Sequence, residues 1–183
     1  MPRSRPAVGI AAGIFVLLLL LGCGGSTGTS GTNAERSGQS GPAARGPVVV
    51  NVGRLRELAQ SVGHPIYWAG RQPGAYELTV DANGNVFIRS LPEGVPAGSR
   101  RRTSLTVATY LFADAYGTLQ AASRQPGATV GHTPDGGLVV AAKGSPDNVH
   151  VAYSRNDIQV EVYDPHPGRA LELATAGAIV PIR

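Results

Sequence analysis

What most constrains this chain is where its apolar residues fall. Ala7 to Gly22 is an unbroken run of 16 residues without a charge, whereas Gly24 to Gly46 reads GGSTGTSGTNAERSGQSGPAARG. A stretch of that second composition cannot bury enough apolar surface to offset the entropy lost on ordering. Any folded core must therefore come from about 135 residues beginning near Val48, which is one domain of ordinary size. Cys23 is the sole cysteine, so no intramolecular disulfide, thiol pair or multi-cysteine metal site is available, and packing must supply the stability.

Arg3 and Arg5 precede the apolar run as a short basic segment, which is the layout of an export signal. The run is shorter than the roughly 20 residues of a bilayer-spanning helix, and it closes on Leu20-Leu21-Gly22-Cys23. This ending resembles the lipobox of bacterial lipoproteins, with Leu21 bulkier than the residue commonest at its place. The resemblance implies diacylglycerylation of Cys23, cleavage after Gly22 and a further acyl chain on the freed amine, and two or more chains anchor stably. The other reading is an uncleaved signal anchor. In both, the basic flank stays inside, so residues beyond the run face outward from the cell membrane. The expected organisation is a signal peptide over 1–22, a lipid-anchored, disordered tether over 23–47 and a single domain over 48–183. About two dozen flexible residues would span roughly 25–30 Å.

Charge narrows the partners. The formal net charge is +4, but Arg3 and Arg5 belong to the signal, which leaves 14 basic and 12 acidic groups and no nucleic-acid signature.

Within 48–183, Asn51 stands ahead of Leu55, Leu58, Ala59 and Val62, apolar at helical spacing, which predicts a helix over 52–62 ended at Gly63. Strands are expected at Ile66–Ala69, Tyr76–Val80, Val86–Leu91 and Leu105–Tyr110, with Asp81-Ala82-Asn83-Gly84 as a hairpin turn. Asp114 is placed to cap a second helix carrying Ala115, Leu119 and Ala122, which Gln125-Pro126-Gly127 ends. Strands then recur at Thr129–Gly131, Leu138–Ala142, Val149–Tyr153 and Ile158–Tyr163, and a third helix should start near Pro165–Pro167, capped by Asp164 or His166, and end near Gly177.

Alternation such as Val160-Glu161-Val162-Tyr163 puts one sheet face inward and leaves the other partly wet. The expected fold is therefore α+β: a curved antiparallel sheet with helices packed on one face. The order α-ββββ occurs twice, with Asn85-Val86 matching Asn148-Val149 and Val107 and Tyr110 matching Val160 and Tyr163. Either duplication or the chance coincidence of alternating strands accounts for this. The outline is similar to paired cystatin-like or TATA-binding-like units, a resemblance of fold that carries no activity.

Reaction chemistry is not written in any motif. Asp81 to Asn85 opens like a calcium loop, but the glycine is fourth and Pro92 stands where the bidentate Glu belongs. Within 48–183 neither a Gly-x-Ser-x-Gly elbow nor a Ser-x-x-Lys pair occurs. His64, His132, His150 and His166 lack metal-site spacing. No metal and no cofactor are expected.

Two segments remain as candidate binding surfaces. His64-Pro65-Ile66-Tyr67-Trp68 holds the only tryptophan; Trp68 serves either as the main core aromatic, with Tyr67 at an edge, or as part of a recognition surface. Arg100, Arg101 and Arg102 are either a solvated loop or a contact for anionic lipid heads or phosphate-bearing wall polymers. The leading expectation is a non-catalytic, lipid-anchored binding module of the cell envelope whose partner is an envelope protein, a wall polymer or a small apolar ligand. The alternatives are an envelope hydrolase assembled from His64, His150 and Asp164, and an accessory subunit of an envelope complex.

Overall fold

The computed structural model describes residues 45–99 and 102–183. The expected signal segment, the Cys23 anchor, the tether up to residue 44, and Arg100 and Arg101 lie outside the described residues.

The chain runs β1 (Arg45–Val50), α1 (Val52–Ser61), β2 (Tyr67–Trp68), β3 (Ala75–Val80), β4 (Val86–Leu91), β5 (Thr106–Leu111), α2 (Ala115–Ser123), β6 (Thr129–His132), β7 (Leu138–Ala141), β8 (Asn148–Ala152), β9 (Ile158–Tyr163), α3 (Arg169–Thr175) and β10 (Val180–Pro181). Eight strands form one antiparallel sheet in the order β1-β3-β4-β5-β9-β8-β7-β6, and β10 pairs with β2 in a separate two-stranded ribbon. The fold is α+β, as the alternation predicts.

Local chemistry explains the helix starts. The Asn51 side chain accepts from the Arg54 N–H at 3.0 Å, and Asp114 accepts from the Gly117 N–H at 3.2 Å. α3 departs from expectation: Gly168 is its N-cap, with no side-chain bond, because Asp164 spends its oxygen on the turn before the helix. Gly177 follows α3 at φ +75°, the left-handed stop expected there. α1, by contrast, ends on an extended Val62 rather than on Gly63.

β1 begins at Arg45, inside the stretch whose composition reads as tether. Its pairing with β3 slips between Arg45 and Val48, around a Pro47 that has no N–H to give the ladder.

α1, α3 and the β2–β10 ribbon cover one sheet face. Leu55 of α1 packs with Leu78, Val86 and Ile88, and Leu173 of α3 with Val149, Val151 and Val160. Full burial of a side chain such as Leu55 is worth about 1.5–3 kcal/mol. α2 does not join them: Ala115 and Leu119 pack on Leu138, Val140 and Ala152, the side chains that alternate to the other face. β7 is consequently buried along its whole length, and its sequence Leu-Val-Val-Ala is continuously apolar as a strand covered on both sides requires.

The expectation that Tyr67 lies at an edge is corrected. Because β2 crosses above the sheet rather than joining it, both of its sides are interior. Tyr67 enters the cluster around α3, stacked on Tyr153, and Trp68 enters the cluster around α1, beside Tyr76.

The sequence matches between the halves fall at equivalent pairings. Val86 pairs with Thr109 as Val149 pairs with Val162, and Leu78 pairs with Ile88 as Val139 pairs with Val151. The correspondence stops at the strands. β2 leaves the sheet, β1 takes the edge place, and α1 and α2 lie on opposite faces.

Candidate ligand cavity

At the end of the sheet where β3 begins, β4 ends and β9 runs out, the loop after β4 arches over a cavity of about 810 Å³. Its walls are largely apolar, drawn from Leu91, Pro92, Val95, Pro96, Leu105 and Leu173. The close approach that forms it depends on Gly74, at φ +92°, where a Cβ would fall on the Leu91 carbonyl oxygen. Glu77 secures the loop from below: its Oε2 accepts from the Gly98 N–H at 2.5 Å and from Arg89 at 3.3 Å, while Arg89 also donates to the Ser99 carbonyl at 2.6 Å.

Asp164, the residue after β9, lines this cavity and is only 7% exposed. Its Oδ1 accepts from the His166 N–H at 2.9 Å and lies 2.9 Å from His166 Nδ1. The His166 ring is exposed. Ser90, Thr103 and Ser104 also line the cavity, but among the described residues none of their hydroxyls is hydrogen-bonded to a histidine, so no activated nucleophile is in place.

A second hollow, of about 180 Å³, opens on the other sheet face between Arg89, Arg102, Ser104, Tyr110, Glu161 and Tyr163. Glu161 accepts from Tyr110 at 2.7 Å and from Asn148 at 2.8 Å. Burial, then the Glu161 charge, pushes the Tyr110 hydroxyl well above its ordinary value, which keeps it a donor. Among the described residues Ser104 Oγ and Arg89 Nε are buried without a partner.

The residues singled out in the sequence are dispersed. Arg102 is exposed, with its guanidinium 4.3 Å from the centre of the Tyr163 ring and its carbonyl accepting from the Tyr163 hydroxyl at 2.7 Å. His64 is half-buried, and its Nδ1 lies 3.1 Å from its neighbour's carbonyl, that of Pro65. Tyr67 and Trp68 are core, although Trp68 also borders a groove of about 560 Å³ beside Pro134, Ile179 and Pro181. His150 stands on the α2 side of the sheet against Gln159, at 2.7 Å, whereas Asp164 pairs with His166. The constellation of His64, His150 and Asp164 is therefore not assembled.

The sequence marks Asp164 as a cap and gives no sign of its burial beside a cavity that residues 92–97 also line. Among the described residues no three His, Cys, Asp or Glu side chains gather as a metal site, and no helix is long and apolar enough to cross a membrane. In comparisons with known protein families, curated proteins and solved structures, the chain matches none.

Proposed function

We propose that this chain is a lipid-anchored binding module of the cell envelope, facing outward from the cytoplasm, and that it holds a small, largely apolar ligand in the 810 Å³ cavity. One observation carries the reading: the largest cavity described has mainly apolar walls and a single buried carboxylate, and its volume lies within the roughly 300–1,000 Å³ of small-molecule sites. The anchor rests on Leu20-Leu21-Gly22-Cys23 and on the charge-free run before it. Non-catalytic binding is favoured over hydrolysis because, among the described residues, no hydroxyl lining this cavity is hydrogen-bonded to a histidine or a carboxylate.

The test is a titration of the purified full chain with 1-adamantanol, a rigid apolar body of suitable size, followed through the ¹³C-methyl resonances of Leu91, Leu105 and Leu173. Saturable shifts at these three positions are expected. A titration that leaves all three unmoved removes the cavity as the binding site.

A further inference from the structure

We infer that the ligand carries a protonated primary amine on its apolar body, and that Asp164 is the group that binds it; this rests on the cavity being the binding site. Asp164 has two carboxylate oxygens, and the turn into α3 uses only one. Oδ1 takes the His166 N–H and faces His166 Nδ1, both at 2.9 Å, while among the described residues Oδ2 takes no hydrogen bond or ion pair. The residue as a whole is 7% exposed, yet Oδ2 is not sealed, so its remaining lone pairs meet water or an occupant in the cavity that Asp164 lines.

The neighbouring side chains are engaged elsewhere or carry no donor. Arg169 also lines the cavity, but its NH1 donates to Glu172 at 2.8 Å. Gln72 gives its amide to the Ala69 carbonyl at 2.6 Å, and Glu93 brings a second negative charge to the lining. Leu91, Val95, Pro96 and Leu105 have no side-chain donor at all. Among the described residues no lining side chain bonds Oδ2, the Ser90, Thr103 and Ser104 hydroxyls included, so an occupant can replace water there, and the charge it meets at Asp164 is negative. An ammonium satisfies both conditions with a charge-assisted bond; an alcohol offers a neutral bond, and a carboxylate is repelled.

The experiment compares three ligands of one shape at pH 8: 1-adamantylamine, 1-adamantanol and 1-adamantanecarboxylate, each titrated against the full chain on the same leucine methyls. The amine is expected to bind at least about tenfold more tightly than the alcohol, and the carboxylate most weakly. Asp164→Asn keeps an oxygen for the turn to His166, so it should abolish the amine's advantage over the alcohol. Saturable binding of the alcohol with no preference for the amine overturns this inference and leaves the cavity reading standing. A preference that survives Asp164→Asn overturns the role of Asp164. If none of the three moves the methyls, the cavity reading fails and this one with it.

Discussion

The backbone N–H of Tyr67 donates to the hydroxyl of Thr109 at 3.0 Å, and both groups are buried. This one bond ties the β2–β10 ribbon to the middle of β5, and Thr109 is otherwise a hydroxyl on the apolar face of the sheet. Thr109→Val preserves shape but strands the Tyr67 N–H. A loss of about 1–3 kcal/mol is expected in urea unfolding, with Thr109→Ser recovering most of it. Equal stability of Thr109→Val and the parent would mean that the ribbon is held by packing alone.

Trp68 is 9% exposed, with its ring centroid 5.7 Å from that of Tyr76. Truncation to Ala should cost about 3–5 kcal/mol, a large share of a domain's stability. As the chain's single tryptophan, it should also give blue-shifted emission that acrylamide quenches poorly. Red-shifted, freely quenched emission with near-native melting of Trp68→Ala would contradict its place in the core.

The conformation of Gly74 admits no side chain. Gly74→Ala should lower stability by on the order of 2 kcal/mol, because the residue's positive φ and the carbonyl in its path both resist a Cβ. The Leu91 methyl resonance should move with it, reporting a displaced cavity wall. An unchanged melting temperature would show that the turn over residues 70–74 adapts freely.

Burial holds the His150 imidazole below its ordinary value, and the nearby Glu161 charge offsets this only in part. Between that lowered value and about 6.5, where the unfolded imidazole titrates, the unfolded chain binds more protons than the folded one. Its contribution to stability is present above this window and is lost as the pH falls through it. Thermal melting should therefore drop from about pH 7 to pH 5, with a shallower slope in His150→Gln. Identical slopes in the two proteins would assign the acid sensitivity to other groups.

The proposed anchor makes its own prediction. Cys23→Ser removes the chain's only sulfhydryl, so incorporation of a fatty-acid probe in cells should disappear. Labelling that persists in the variant would rule out thioether lipidation at this position.

What could be read in advance depended on how local its cause was. Asn51 and Asp114 were legible as caps because the donors they satisfy lie three residues on. β4 and β9 were legible as strands because turn residues bound them, with clean alternation in β9 and an apolar start, Val86-Phe87-Ile88, in β4. β1 and β10 were not, since Pro47 breaks the pattern of the first and the second is only two residues long. Alternation at Tyr67-Trp68 indicates that the two side chains diverge, but not that each direction leads into a core. The unbroken apolar run from Leu138 to Ala142 did carry the signal for α2 on the far side of β7. At the candidate site, Asp164 was legible as a turn residue, whereas the cavity beside it is also lined by residues 92–97, some 70 positions earlier in the chain, which no local pattern announces.

Among the described residues β1 is hydrogen-bonded on one side only, and its first residue is where the described fold meets the preceding chain. Tension arriving through residue 44 is therefore borne by an edge strand before it reaches α1 or the central strands. The pairing slip between Arg45 and Val48 makes the first contacts the easiest to part, so the strand peels from its leading end instead of shearing as a unit. Its six residues would then pay out about 20 Å of slack, losing the packing of Val50 while the seven strands inward of it stay paired. The edge would then work as a mechanical fuse, yielding length to a pull at the expense of Val49 in the cavity lining while Leu91 and Leu105 stay in place.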